Sequence, residues 1–197
     1  MCGFYKINSG CIKIGDVTLE EVSLDSLRKH VGVVFQRPYL FGGNLYRNIV
    51  MGQDISMEVI KERFKNNDAF KFIYDLPQDF LTTMYSGGSN FSAGQIQRIA
   101  ILRALIKDPA ILIFDEATSN LDSGTEKIIL EFLTKERRGK TTLIIGHRLS
   151  TVAAADLIIV LQDGKIVEKG TLQELIQNQG EFHRLFYTQL ISGGQVK

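Results

Sequence analysis

The chain has little that marks a protein of an oxidising, membrane-embedded or nucleic-acid setting. It carries only two cysteines in 197 residues, Cys2 and Cys11, with neither the spacing of a metal site nor the number of a disulfide framework, so a reducing, cytosolic environment is expected. No stretch approaches the ~18 consecutive apolar residues of a membrane span. The apolar runs at Ala110–Phe114, Thr142–Ile145 and Leu157–Leu161 are of strand length. The opening Met1-Cys2-Gly3-Phe4-Tyr5-Lys6 lacks the apolar core of a secretory signal. If the protein works at a membrane, other polypeptide must cross it. A net charge of +1 leaves no basic excess, and no nucleic-acid partner is expected. Internal repeats and low-complexity segments are missing as well.

What is present is an ordinary globular composition, 44% hydrophobic and 23% charged, at a length that suits one domain with room for an appended subdomain. Weak alternation makes Cys11–Ile14 a strand, Leu24–His30 reads as a helix, and Val31–Phe35 is a short apolar strand rich in β-branched residues. From Asn44 to about Lys107 only helical patterns occur, at Leu45–Met51, Met57–Lys65, Ala69–Leu76 and Ala93–Lys107, with a loop between Leu76 and Asn90 that holds Pro77, Gly87 and Gly88. After Pro109 strands and helices alternate: a buried strand Ile111–Phe114, a helix Ser123–Arg137, a buried strand Thr142–Ile145, a brief helix Val152–Ala155 and a strand Leu157–Leu161. Asp163-Gly164 then signals a hairpin into Lys165–Glu168, and helices at about Leu172–Gln177 and Glu181–Leu190 follow. Alternating strands and helices imply an α/β fold with a mostly parallel sheet, into which the helical stretch is inserted.

Two places carry chemistry. Four apolar residues, Ile111–Phe114, lead into Asp115-Glu116, and ligands of open α/β sheets bind off the C-terminal ends of the strands. An Asp there can hold Mg²⁺ through water, because that ion keeps several waters and takes few carboxylates. A following Glu can polarise an attacking water, although a carboxylate pair at this place also commonly caps the next helix. Upstream, Ser92 is a good N-cap for a helix whose first residues are small, and such an N-terminus favours phosphate oxygens.

Phe91-Ser92-Ala93-Gly94-Gln95-Ile96-Gln97-Arg98 resembles the signature of ABC-transporter ATPase cassettes, usually Leu-Ser-Gly-Gly-Gln-x-Gln-Arg. Ile111–Glu116 is similar to the Walker B strand with its catalytic glutamate, and Ser119-Asn120-Leu121-Asp122 to the D-loop. Gln36 matches the Q-loop glutamine, and His147 in Gly146-His147-Arg148-Leu149-Ser150 the switch histidine. The motifs stand in family order, and the resemblance runs from about Gly3 to Leu190. It implies a P-loop NTPase (RecA-like) fold, with residues 1–40 and 106–197 as core and about 41–105 as an α-helical signature subdomain. It implies ATP and Mg²⁺ as ligands, with Glu116, His147 and Gln36 catalytic and Asp115 and Gln36 reaching the metal. Ser92, Ala93, Gly94 and Gln95 would serve a nucleotide held mainly by a second cassette paired head to tail, with the D-loop across the same seam. Leu40–Ile49, Ala117-Thr118-Ser119 and His147–Val152 resemble the exporter branch, which implies a transmembrane domain as partner and work at the cytoplasmic face of a membrane. Ser86 stands where exporters usually have a glutamate in a loop that contacts that domain, so coupling through this loop is not expected to follow the family pattern.

The phosphate-binding motif Gly-x-x-x-x-Gly-Lys-Ser/Thr does not occur in these residues. Gly139-Lys140-Thr141 looks like its end, but Thr134 stands at the first glycine's place and the segment leads into a strand instead of a helix. In the family the motif lies shortly before the stretch that here reads Cys2-Gly3-Phe4-Tyr5. The expectation is therefore a cassette whose N-terminal β part, with the P-loop, is missing, and which alone binds ATP poorly and hydrolyses it negligibly. Other readings are a cassette without catalytic function that lends only its signature face to a partner, and a soluble ABC ATPase outside transport.

Overall fold

The structure is a computed structural model that describes residues 2–193. The chain forms two compact units, one up to Leu143 and one from Ile144.

The first unit opens on β1 (Lys13–Ile14) and β2 (Val17–Thr18), antiparallel around Gly15-Asp16. Helix α1 (Leu24–His30) starts at Ser23, whose hydroxyl accepts the Ser26 N–H at 3.2 Å, and ends in Arg28-Lys29-His30, cations suited to a helix C-terminus. Strand β3 (Val31–Val34) follows directly. The helical stretch then brings β4 (Gly43–Asn44), α2 (Leu45–Val50), α3 (Met57–Phe64), β5 (Thr83–Met84) and α4 (Ala93–Ile106). After it come β6 (Ile111–Asp115), α5 (Ser123–Glu136) and β7 (Thr141–Ile145), whose last two residues already count to the second unit.

β3 and β6 run parallel, with Val31 opposite Ile111 and Val34 opposite Phe114. β7 completes a three-stranded sheet in the order β3-β6-β7, beginning where the Thr141 N–H donates to the Ala110 carbonyl at 3.2 Å. Leu27 of α1 packs with Val31, Ile111 and Ile113 on the sheet. Arg137, just past α5, is buried against the entry ends of β6 and β7. Its guanidinium donates to Thr142 Oγ1 (3.0 Å) and to the carbonyls of Pro109 (2.9 Å), Thr141 (3.1 Å) and Ala110 (3.4 Å). In the helical stretch the core is aromatic: Phe64, Phe70 and Phe80 are fully buried, and Phe64 and Phe70 meet edge to face at 5.4 Å.

The second unit holds α6 (Leu149–Val152), the hairpin β8 (Ile158–Gln162) and β9 (Lys165–Gly170), α7 (Leu172–Asn178) and α8 (Glu181–Gly193). Asp163 and Gly164, both at positive φ (50° and 74°), make the two-residue turn whose twist matches a hairpin. Val152, Ile158, Val160, Leu175, Phe182 and Phe186 form this unit's core. Among the described residues no helix is long and apolar enough to cross a membrane.

Several expectations need correction. The stretch from Asn44 to Lys107 is not all helical. β5 pairs with β4, Gly43 opposite Met84 and Asn44 opposite Thr83, and so strand backbone occurs inside it and in the Leu76–Asn90 loop. The helix at Ala69–Leu76 is instead a 3₁₀ segment, Asp68–Ile73, begun by the Asn67 side chain accepting the Ala69 N–H at 2.9 Å. The brief helix is Leu149–Val152, not Val152–Ala155. β7 is not buried on both faces, since Leu143 and Ile145 are 40% and 47% exposed. β8, expected only as a strand over Leu157–Leu161, is a strand that alternates, with Ile158 and Val160 buried and Ile159 and Leu161 exposed.

Candidate functional site

Parallel pairing builds the site. Because β3 and β6 are in register through Val34 opposite Phe114, two further residues bring Gln36 level with Glu116 at the strand exits. There the Gln36 side-chain amide donates to Glu116 Oε2. Gln36 is exposed, while Asp115 and Glu116 are half-buried behind the apolar strand Ile111–Phe114. Glu116 has left-handed backbone (φ 47°), which a residue other than glycine adopts at a cost and which ends β6 abruptly. Ala117 and Thr118 then turn inward, and the Thr118 hydroxyl donates to the buried Glu126 Oε1 at 2.9 Å.

The loop Ser119–Asp122 runs from there to α5. Asp122 is the helix N-cap, and both its carboxylate oxygens are used. Oδ1 accepts the Thr125 N–H at 2.9 Å and Oδ2 the Thr125 hydroxyl at 2.7 Å. Those bonds, the backbone one first, hold its carboxyl below the usual aspartate range.

Helix α4 begins at Ser92 in a reciprocal cap: Ser92 Oγ accepts the Gln95 N–H at 3.2 Å, and Gln95 Oε1 accepts the Ser92 N–H at 2.9 Å. Ser92 and Ala93 are exposed, and Phe91 before them is buried. Gly94 lies against the loop after β6, where a Cβ would stand 3.2 Å from the Asn120 carbonyl oxygen. The helix is apolar on nearly all sides, so its polar members need partners. Arg98 stacks over the Phe72 ring at 4.1 Å and donates to the Ala69 carbonyl at 3.1 Å; burial lowers its pKa, and the charge of Asp122 opposes that shift. Arg103 donates to the carbonyls of Asn48 (2.8 Å) and Tyr39 (2.9 Å).

Among the predicted residues, the structure thus brings together Gln36 with Glu116, Ser92 with Gln95, and Gly94 with Asn120. His147 lies in the second unit, two residues past β7, and its carbonyl accepts from Gln189 Nε2 at 3.2 Å. Sequence reasoning named Gln97 only as part of the signature, without a role, and missed Arg103, although charged and amide side chains inside a largely apolar helix are a signal of buried hydrogen bonding. Among the described residues no three His, Cys, Asp or Glu side chains cluster as a metal cage. A single carboxylate such as Asp115 at a strand tip suits a Mg²⁺ that brings its own waters and phosphate oxygens.

A family model described as "ABC transporter" matches residues 1–119. The chain is 41% identical over 189 residues to the ABC multidrug transporter MDR2 of Trichophyton rubrum, covering 94% of this chain and 14% of that protein. It is 40% identical over 190 residues to the ABC transporter B family member 2 of Dictyostelium discoideum, covering 96% of this chain and 13% of that protein. A solved structure of a bacterial Atm1-family ABC exporter with ATP bound superposes with a TM-score of 0.90 at 36% identity, over 96% of this chain and 34% of that one. The fold is that of the nucleotide-binding domain of an ABC exporter, within the P-loop NTPases. The chain belongs to the ABC transporter family. It spans about a third or less of the length of these relatives.

Proposed function

We propose that the chain is the ATP-binding and hydrolysing part of an ABC exporter, working at the cytoplasmic face of a membrane with a second cassette and a transmembrane domain. One observation carries this reading: the Gln36 amide sits on the Glu116 carboxylate at the exits of two in-register parallel strands. That pairing sets a group able to orient or deprotonate water beside an amide that reports on the same position. Glu116 holds the water and takes its proton as the oxygen attacks the γ-phosphorus and the bond to the bridging oxygen breaks. Asp115 and Gln36 would hold the Mg²⁺ brought with the nucleotide, and that ion would supply charge neutralisation for the phosphates. The resemblance gives His147, in the second unit, the role of switch histidine. Ser92, Ala93, Gly94 and Gln95 offer a small, exposed helix start to the triphosphate held by the partner cassette, and Ser119–Asp122 lies along the same seam. Within this reading residues 41–105 are the signature subdomain, and residues 1–40 and 106–197 belong to the core.

These 197 residues contain no Gly-x-x-x-x-Gly-Lys-Ser/Thr, so the phosphate cradle for the Glu116 site is supplied by polypeptide outside them. The test is steady-state ATP turnover by a cassette in which these residues follow such a loop, against the 197 residues alone. Joined, the protein hydrolyses ATP, and Glu116→Gln slows it by ~10²–10⁴-fold, the range typical of a removed general base. Equal turnover by Glu116→Gln, or turnover by the 197 residues alone, refutes the proposal.

A further inference from the structure

We propose that Gln97, a fully buried residue of helix α4, is a positioning residue for Gln36: through the Phe35 carbonyl it holds the chain just past strand β3 so that the Gln36 amide rests on Glu116. The inference deepens the reading of the same site.

Gln97 is fully buried, and its Nε2 donates to the Phe35 carbonyl at 3.3 Å. That carbonyl belongs to the peptide leading directly into Gln36. Turning the amide over would set its oxygen against the carbonyl, so the orientation follows from the contact. The other amide atom, Oε1, is buried without a hydrogen-bond partner, the one such side-chain atom among the described residues. A buried acceptor left unpaired is costly, and an apolar side chain of the same volume would avoid the cost. The bond to the Phe35 carbonyl is the contact that offsets this cost, and an apolar side chain would take that donor away from the carbonyl. Further along the same helix, Arg103 Nη1 donates to the Tyr39 carbonyl at 2.9 Å and holds Asn48 through Nε (2.8 Å) and Nη2 (3.2 Å). α4 thus grips the chain on both sides of Gln36-Arg37-Pro38, leaving only those three residues between its anchors. Because α4 also begins at Ser92, the exposed start of this helix and the Gln36–Glu116 contact are set by one rigid element.

The experiment reads the Gln36 side-chain amide in ¹H–¹⁵N spectra of the full chain without nucleotide, so it is decided whether or not the chain takes part in ATP hydrolysis. Glu116→Ala removes the acceptor and defines the full displacement of that signal. Gln97→Met is expected to displace it at least about half as far, in the same direction, with Glu116 intact. A smaller displacement overturns the proposal. Ile106→Val, which loosens the core at the far end of the same helix, is expected to leave the signal in place; movement as large as in Gln97→Met would make the role structural and also overturn it. If Gln97→Met does not fold, Gln97→Asn, polar but one methylene short of Phe35, is judged by the same criterion.

Discussion

Replacing Arg137 by Met tests how firmly the entry end of β6 is anchored, and with it the strand that presents Asp115 and Glu116. Methionine keeps most of the apolar stem and deletes the guanidinium, which is 5% exposed as a residue and donates to four oxygens. The four losses are unequal. The Ala110 carbonyl sits at 3.4 Å and keeps the Thr141 N–H as donor, so its loss is small. The Pro109 carbonyl, in a buried residue and held at 2.9 Å, is left unpaired, and an orphaned buried acceptor costs ~1–3 kcal/mol. The Thr141 carbonyl and Thr142 hydroxyl are nearer solvent and lose about 0.5–1 kcal/mol each. Together the expected loss is about 3 kcal/mol, roughly a hundredfold in the opening equilibrium. Native-state hydrogen exchange at the Leu112 and Ile113 amides reads that loss within the first unit alone, which matters because two compact units need not melt together. Exchange accelerated less than about threefold would show that the four bonds add nothing beyond what solvent supplies.

The Asp122 cap gives a pH dependence. Its carboxyl is held below the ordinary value, so its contribution to the start of α5 is fully present above the unfolded aspartate pKa of about 3.9 and is lost as pH falls through the lower folded value; Asp122→Asn flattens that part of an acid titration followed by circular dichroism. Gly94→Val forces branched atoms toward the Asn120 carbonyl, already 3.2 Å from where a Cβ would stand, and is expected to cost about 1–3 kcal/mol in a urea melt; an unchanged midpoint would show that the loop simply yields. Ser92→Ala removes one half of the reciprocal cap and lowers stability by about 1 kcal/mol, measurable in the same melt.

What the sequence disclosed tracks how local each cause is. Helix α4 was readable to within a residue, from Ala93 to Lys107 against the observed Ala93–Ile106, because its start is written in Ser92 and Gln95 and no Pro or Gly interrupts its pattern between Gln95 and Lys107. β6 and the Asp163-Gly164 hairpin were readable for the same reason. The β4–β5 ladder was not, since strands of two residues have no period to detect. The 3₁₀ segment Asp68–Ile73 carries the spacing of an α-helix, and only Asn67 capping its second residue distinguishes it. Apolar residues in β7 announce a strand but not whether both faces are covered, and Leu143 and Ile145 proved half-exposed. At the site, resemblance singled out Gln36 and Glu116, yet their contact depends on the β3–β6 register, a long-range property that neither segment contains. Gln97, named only as part of the signature, had no role in the sequence because its partner is a backbone carbonyl far along the chain.

The left-handed backbone at Glu116 has an evolutionary consequence. An acid held at φ 47° carries conformational strain of about 1–2 kcal/mol, and asparagine or glycine at the same place would relieve much of it. Mutations that disarm this position can therefore leave the polypeptide sturdier than before. Pressure for robust folding alone would drift position 116 away from glutamate, and only pressure on the chemistry would hold it there.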